Sequence, residues 1–325
     1  CTPSPMSLPR QSAPLLTVVL VLALLASIAS LGGCDLTDRE EGRYLPKTPE
    51  VFPVAQSPAW SPDGDRIAYH HDARHTEDTT DVSGLYILNL ETDSTRLLVE
   101  GSARNPDWRH DGERLAFSTG NIYTIRPDGS NLRQVTDFGD SYFPAWSPDG
   151  RRLAFDTSYR DENGAHVIWM SDPNGNDLKD ISQHGVGEWR DPDWAPSGRK
   201  IVHLRFLDGV FGEEIFVMDS TGAGATRLTN NQRNDRTPVW SPDGEWIAWS
   251  PIPKEGDHEL WIMRSDGSGK QRLASRGHDP AWGPNSQRIV FAKPAVESDL
   301  TALWTIRRDG SDLRQITDPS RNPLN

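Results

Sequence analysis

The 325-residue chain contains only two cysteines, Cys1 and Cys34, and both precede the repeats that make up most of the sequence. A secreted fold that depends on disulfide bonds needs several cysteines distributed through its core. The scarcity of cysteine therefore excludes a disulfide framework. Whatever fold the chain forms must be stabilised by the packing of apolar side chains.

An excess of positive charge is also missing. The chain has 47 acidic residues against 34 lysines and arginines, which gives a formal net charge of −13 at pH 7. Proteins that bind nucleic acid neutralise its phosphates with a basic face. We therefore expect no nucleic acid among the partners.

Common hydrolase motifs are absent, since neither Gly-x-Ser-x-Gly nor His-Glu-x-x-His occurs. His71 and His75 are four residues apart, which on a helix would place two metal ligands on one face. The surrounding run, residues 70–84, is rich in Asp and Thr and lacks a helical pattern, so a solvated loop holding His70, His71 and His75 is predicted. We assign no catalytic residue, no metal site and no cofactor.

One long uncharged apolar run is present, LLTVVLVLALLASIASL at residues 15–31, and it ends in Leu31-Gly32-Gly33-Cys34. The run is short for a membrane span and suits the apolar region of a secretory signal. Its end resembles a bacterial lipobox, in which a cysteine receives a diacylglycerol and becomes the mature N-terminus. We expect a signal peptide at residues 1–33, lipidation of Cys34 and a tether at residues 34–56.

The alternative is an uncleaved anchor helix in which Cys34 has no role. Both interpretations predict an exported protein that is anchored to a bacterial membrane, on the periplasmic side. Anionic lipid headgroups would repel a chain of this net charge, so the acyl chains would supply the attachment.

A phrase of Pro-x-Trp, a turn and an apolar triplet occurs six times. The copies are PAWSPDGDRIAY (58–69), PDWRHDGERLAF (106–117), PAWSPDGRRLAF (144–155), PDWAPSGRKIVH (192–203), PVWSPDGEWIAW (238–249) and PAWGPNSQRIVF (280–291). The six tryptophans are 38–48 residues apart. A repeat of this length with several short strands is typical of a propeller blade.

Each repeat contains signals for four strands. Proline is tolerated at the first residue of a strand, so Pro-x-Trp favours a first strand, and Ser-Pro-Asp-Gly favours a tight turn into a buried second strand. A third strand such as LYILNL (85–90) and a polar fourth strand such as LRQVT (132–136) follow. We therefore predict an all-β, six-bladed β-propeller of four-stranded antiparallel blades at residues 57–325. The blades lie near 57–105, 106–143, 144–191, 192–237, 238–279 and 280–325.

Three further expectations follow from this architecture. The repeat tryptophans are predicted to pack blade against blade rather than to form a sugar platform. The turn aspartates are predicted to stabilise turns rather than to bind calcium. The terminal LRQITD (313–318) is predicted to supply the fourth strand of blade six, with residues 48–56 unpaired to that blade.

The repeats resemble the WD40-like (PD40) repeats of the TolB propeller family, whose pattern is Pro-x-Trp-Ser-Pro-Asp-Gly, then Ile/Leu-Ala-Phe, then Ile-Tyr-Val-Met-Asp. The resemblance extends over roughly residues 57–320 and implies a six-bladed propeller that acts as a binding scaffold. Similar propellers in oligogalacturonate lyases hold a metal through histidines. Five histidines keep that alternative open: His166, His184, His203, His258 and His278.

The two ends of the blades differ in sequence. Connections after strands one and three are short and define a turn face, whereas those after strands two and four are long and varied and define a loop face, where function tends to reside. On the loop face, the residue two places before the proline of each first strand repeats in type. These residues form a predicted ring at the channel mouth: Arg104, Tyr142, Arg190, Arg236, His278 and, before Pro323, Arg321, with Gln56 as the exception in blade one.

Two interpretations of this ring remain. It forms a cationic mouth that binds a carboxylate, a phosphate or an acidic sugar, or its arginines pair with Asp191, Asp235 and Asp279 to tie blades together. We expect a monomeric, non-catalytic, membrane-tethered scaffold of the cell envelope whose partner is an envelope protein, an anionic small molecule or a glycan. The alternative is a metal-dependent polyuronate lyase, which three or more histidines converging at the mouth would favour.

Overall fold

The computed structural model describes residues 54–73, 80–159, 164–182, 187–207, 212–296, 300–319 and 323. All regular elements in these ranges are β-strands. Within the same ranges, no helix has the length and apolar character needed to cross a membrane. The predicted signal peptide, Cys34 and residues 34–53 of the predicted tether lie outside the described residues.

The strands form six four-stranded antiparallel blades, so the prediction of a six-bladed propeller is confirmed. Blade one contains β1 (Val54–Trp60), β2 (Arg66–Asp72), β3 (Gly84–Asn89) and β4 (Ser94–Glu100). Blade two contains β5 (Arg104–Trp108), β6 (Leu115–Ser118), β7 (Ile122–Ile125) and β8 (Arg133–Gln134). Blade three contains β9 (Ser141–Trp146), β10 (Leu153–Thr157), β11 (Val167–Ser171) and β12 (Lys179–Asp180).

The second half continues in the same order, with one addition. Blade four contains β13 (Trp189–Trp194), β14 (Lys200–Phe206), β15 (Glu213–Asp219) and β16 (Thr226–Arg227). β17 (Arg233–Asn234) pairs with β20 (Ile252–Pro253) beside blade five, which contains β18 (Val239–Trp240), β19 (Trp246–Trp249), β21 (Glu259–Arg264) and β22 (Gln271–Ser275). Blade six contains β23 (His278–Trp282), β24 (Arg288–Pro294), β25 (Thr301–Arg307) and β26 (Arg314–Gln315).

The core consists of six apolar clusters, and each cluster spans one boundary between neighbouring blades. Every cluster includes one repeat tryptophan. Five of these side chains are only 5–8% exposed, and Trp60 is partly buried at the boundary between blades six and one. The tryptophans therefore pack blade against blade, as predicted. This arrangement lets each twisted sheet bury both of its faces.

The turn aspartates stabilise the turns that contain them. In blade three, Asp149 Oδ1 accepts hydrogen bonds from Ser147 Oγ at 2.7 Å and from the backbone N–H of Arg151 at 3.1 Å. Gly150 has a φ of 66°, which residues with a Cβ rarely adopt. In blade six, Ser286 occupies this position with a φ of 57°, and its Oγ accepts the N–H of Asp243 at 2.9 Å. That hydrogen bond joins blades five and six and offsets the strain of the serine.

Strands from both ends of the propeller sequence meet at blade six. β26 pairs with β25, which confirms the predicted fourth strand. However, Val54 at the start of β1 also pairs in parallel with Thr301 of β25. The prediction that residues 48–56 make no pairing with blade six is therefore wrong at Val54. The cause is that β1 begins before residue 57, because Gln56 continues the ladder by pairing with His70.

Candidate functional site at the channel mouth

The six first strands, β1, β5, β9, β13, β18 and β23, surround a central channel with a volume of about 130 Å³. They contact one another in sequence order, and β23 contacts β1, so the ring is closed. Each first strand starts at the loop face and ends at the turn that leads to strand two. The described members of the predicted ring therefore lie at the loop-face mouth of this channel.

A residue with left-handed backbone precedes the proline in all six first strands. The φ values lie between 45° and 52° for Ser57, Asn105, Phe143, Asp191, Thr237 and Asp279. Non-glycine residues rarely adopt this conformation, and it persists only where the surrounding structure enforces it. In five of the blades the pairing of strands one and two shifts register here, as in a β-bulge. A strained bulge thus recurs around the mouth, next to the ring.

Two ring arginines share a buried carboxylate between blades four and five. Arg236 Nη1 lies 2.8 Å from Glu213 Oε2, and Arg190 Nε lies 3.9 Å from Glu213 Oε1. Arg190 Nη2 also lies 2.6 Å from Glu188 Oε2. The Glu213 side chain is 8% exposed, and burial raises its pKa although both arginines oppose the shift. The arginine side chains remain 34% and 36% exposed, so they also face solvent at the mouth.

The ring residues of blades two and three contact acids in different ways. Arg104 Nη2 lies 3.7 Å from Asp72 Oδ2 of blade one, and its side chain is 43% exposed. Tyr142 stacks on His166, with 6.0 Å between the ring centroids. His166 Nδ1 lies 2.8 Å from Asp156 Oδ1, and this hydrogen bond raises the pKa of the imidazole. Arg104 and Tyr142 are thus both partly exposed. A buried carboxylate lies near each of them, Asp72 beside Arg104 and Asp156 beside the His166 ring that stacks on Tyr142.

His278 belongs to the contact that closes the ring between blades six and one. Its Nδ1 lies 3.3 Å from Asp279 Oδ2, and the same oxygen accepts hydrogen bonds from the N–H and Oγ of Ser57 at 3.1 and 3.3 Å. His258 is near, with 5.3 Å between the two imidazole centroids. Arg321, the last predicted member of the ring, lies outside the described residues. The structure thus gathers five of the six predicted residues around one mouth.

The acids beside the arginines are mostly not those named from the sequence. Asp191 accepts the backbone N–H of Thr237 at 3.2 Å, which links blades four and five through the main chain. Asp235 is fully buried and accepts the indole N–H of Trp249 at 3.0 Å. The residues predicted as arginine partners therefore hold the bulges and strands in place, whereas Glu188 and Glu213 contact Arg190 and Arg236.

The histidines do not form a metal centre in the described part of the chain. No group of three or more His, Cys, Asp or Glu side chains among the described residues could hold a metal ion. His70 and His71, which were expected in a solvated loop, belong to β2 and are 1% and 5% exposed. The expectation failed because β2 continues past the apolar triplet to pair with β1 and β3. His75 and His184 lie outside the described residues.

Sequence reasoning also missed two carboxylates inside the channel. Asp107 and Asp193 occupy the middle position of Pro-x-Trp, and each accepts the backbone N–H of a tryptophan in the next blade, Trp146 or Trp240, at 2.6 Å. Desolvation raises the pKa of Asp107 to about 8 and that of Asp193 to about 7. The sequence distinguishes these two aspartates, because the other four blades have Ala or Val in the middle of Pro-x-Trp.

Comparison with known proteins agrees with this architecture. The TolB beta propeller domain family (PD40) matches residues 50–212 and 186–323. An uncharacterized protein of Agrobacterium fabrum is 26% identical over 252 residues, which are 77% of this chain and 68% of that protein. A TolB homolog of Chlorobaculum tepidum is 32% identical over 122 residues, 37% of this chain and 27% of that protein. The crystal structure of TolB from Acinetobacter baumannii superposes with a TM-score of 0.61 at 18% identity, covering 80% of this chain and 62% of that one. Since the family match spans nearly all of the propeller, the chain belongs to the TolB β-propeller (PD40) family.

Proposed function

We propose that this protein is a non-catalytic binding scaffold of the bacterial cell envelope, and that its loop-face mouth binds a protein partner. The observation that carries the proposal is the state of the ring arginines. Arg104, Arg190 and Arg236 are each oriented by an acidic side chain, yet each side chain is more than a third exposed. An arginine held by one carboxylate still has several N–H donors, so the mouth offers oriented donors at little entropic cost.

The charges around the ring favour a protein over a small anion. Asp72, Glu188 and Glu213 lie beside the ring arginines and offset their positive charge. A free carboxylate or phosphate would therefore approach guanidinium groups whose positive charge is already offset by neighbouring carboxylates. A polypeptide segment presents donors and acceptors together and can satisfy both members of each pair. We take the partner to be an envelope protein with an exposed segment that enters the mouth.

The positions of the described histidines do not favour a polyuronate lyase. Three or more histidines that converge at the mouth would favour that activity. Among the described residues, His258 and His278 are adjacent, whereas His203 is buried in blade four between Trp189 and Phe216. No specific contact of the described chain favours a lyase.

Attachment to the membrane is part of the proposal. The apolar run at residues 15–31 followed by Leu31-Gly32-Gly33-Cys34 supports export, cleavage before Cys34 and lipidation of its thiol. We expect the intact mass of the protein extracted from membranes to equal the chain from Cys34 onward plus its acyl groups. A mass that retains residues 1–33, or an unmodified Cys34, would contradict the lipid anchor without affecting the binding surface.

Site-specific photo-crosslinking tests the binding surface in the native host. Replacement of Tyr142, which is partly exposed, by benzoyl-phenylalanine places a photoreactive benzophenone at the mouth. We expect one dominant protein adduct from this position. The matched control carries the same group at Arg151, an exposed residue of the turn face, and we expect no such adduct there. Adducts that form at Arg151 but not at Tyr142 would reject the loop-face mouth as the binding surface.

A further inference from the structure

A second cavity opens on the turn face between blades three and four and has a volume of about 490 Å³. We call it the inter-blade cleft. Blade three contributes Asp149, Arg152 and Lys179 to its lining, and blade four contributes Ser197, Ser220 and Thr221. The buried ring of Trp194 lies at its base. The cleft is large enough for a small polar metabolite, since ligand pockets begin at about 300 Å³.

The two cations of the inter-blade cleft have no acidic partner in the described part of the chain. Arg152 and Lys179 are both exposed. Across the described ranges, neither side chain has a carboxylate within 4.0 Å or a hydrogen-bond partner. In a protein of net charge −13, two neighbouring cations without acidic partners are unusual. They lie where a ligand can reach them, Arg152 directly before β10 and Lys179 in β12 of the same blade.

At two other blade boundaries an arginine covers the repeat tryptophan. Arg66 of blade one corresponds to Arg152 in the repeat, but it pairs with Asp63 and lies over the ring of Trp108 at 4.8 Å. At the next boundary Arg109 covers Trp146 at 5.6 Å. No cation covers the Trp194 ring among the described residues. The boundary between blades three and four thus lacks the covering arginine that is present between blades one and two and between blades two and three.

The sequence of blade four accounts for the charge of the cleft. Its turn reads Ala195-Pro196-Ser197-Gly198, so a serine stands where most of the repeats have an aspartate. The remaining acid, Asp149, uses Oδ1 to accept the Ser147 hydroxyl and the Arg151 N–H of its own turn. The cleft thus combines two free cations and several hydroxyl groups with a single carboxylate.

The walls of the cleft are fixed by close packing between the two blades. A Cβ on Gly222 would lie 1.7 Å from the backbone oxygen of Ile181, so the turn that carries Ser220 and Thr221 sits directly on blade three. Gly222 also has a φ of 90°, which favours glycine. A site with rigid walls loses little conformational entropy when it binds a ligand.

We propose that the inter-blade cleft binds a soluble phosphate monoester carried on a polyhydroxyl body, such as a sugar phosphate. A phosphate monoester carries a charge of about −1.5 to −2 at pH 7, which two cations complement. The guanidinium of Arg152 matches two phosphate oxygens, and the ammonium of Lys179 acts as a point charge. Ser197 and Ser220 contribute hydroxyl partners for the sugar. Thr221 Oγ1 donates to Asp219 Oδ1 and can still accept a sugar hydroxyl, as can the second oxygen of Asp149. The cleft lies on the face opposite the ring, so this proposal does not depend on the proposed function.

Calorimetric titration of the full chain in neutral detergent with glucose 6-phosphate tests the site. We expect binding of glucose 6-phosphate and none of glucose. The variant Arg152→Gln/Lys179→Gln is expected to lose affinity by roughly tenfold or more for each cation removed, because each loses a charge-assisted hydrogen bond. The matched control is Arg151→Gln/Arg199→Gln, which removes the same charge from exposed neighbours outside the cleft lining.

The control is expected to bind within about twofold of the unmodified protein, since long-range attraction between exposed charges is screened by salt. Melting temperatures of all preparations verify that the fold is retained. The proposal is overturned if the unmodified protein binds no glucose 6-phosphate. It is also overturned if glucose binds equally well, or if both pairs of substitutions weaken binding to the same extent.

Discussion

A chain that ends at residue 300 is expected to be unfolded at room temperature. The truncation removes β25 and β26 and with them three large side chains, Leu303, Trp304 and Ile306, which are between 0 and 8% exposed. Leu303 packs on blade one, and the other two pack on blade five. Loss of each costs about 2–5 kcal/mol, so the total is comparable to the whole of a typical stability of about 5–15 kcal/mol.

The matched control for this truncation ends at Pro319. It retains β26 and also Thr317, whose Oγ1 accepts the N–H of Leu303 at 2.8 Å. We expect the control to unfold cooperatively in urea, followed by tryptophan fluorescence, at a midpoint close to that of the full chain. A cooperative transition at the same midpoint for the chain ending at residue 300 would contradict a closed ring in which blade six covers blade one.

Removal of both arginines that contact Glu213 is expected to destabilise the protein at neutral pH. The double change Arg190→Ala/Arg236→Ala leaves a buried carboxylate without a charged partner. Breaking a buried ion pair costs about 3–5 kcal/mol, but the two arginines are about one third exposed and partly screened. We therefore expect a loss of about 2 kcal/mol, or about 4–8 °C in melting temperature.

The pH dependence of this loss identifies its cause. Burial already raises the pKa of Glu213 in the folded state, and removal of the arginines raises it further. A carboxyl whose folded pKa exceeds its unfolded pKa stabilises the protein below the unfolded pKa, and this contribution is lost as the pH rises through the folded pKa. The deficit of the double variant is thus expected to be largest near pH 8 and smallest near pH 4.

Addition of Glu213→Gln to the double variant is the rescue control. Glutamine keeps the shape of the side chain and has no charge to bury, so most of the lost stability is expected to return. If the triple variant is as unstable as the double variant at pH 8, the destabilisation arises from lost packing of the arginine stems rather than from an unpaired charge.

The elements of the propeller were predictable from the sequence because each repeat encodes them locally. Pro-x-Trp, Ser-Pro-Asp-Gly and the apolar triplet specify a strand, a turn and a buried strand without reference to the rest of the chain. The position of Trp108 between blades one and two follows from the same repetition. The whole fold was predictable because the same local signals for strands and turns occur six times.

The partners within the candidate site were not predictable in the same way. Glu213 meets Arg236 only because β15 of blade four packs beside the entry to blade five, and that distance depends on how neighbouring blades pack. The left-handed residues before the prolines have no common residue type, since they include Ser57, Phe143 and Thr237. Their conformation is imposed by the surrounding ring rather than by local preference.

The most direct measurement of the binding surface compares two proteins that share the Glu213→Gln background. The protein partner identified by crosslinking at Tyr142 is purified and titrated against the single variant and against Glu213→Gln/Arg190→Ala/Arg236→Ala. Both proteins lack the orphaned carboxylate, so their stabilities are comparable and a difference in affinity reports on the arginines. We predict a loss of affinity of roughly tenfold or more for each arginine, as expected for charge-assisted hydrogen bonds. Equal affinities for the two proteins would contradict a scaffold that binds its partner through the ring at the loop-face mouth.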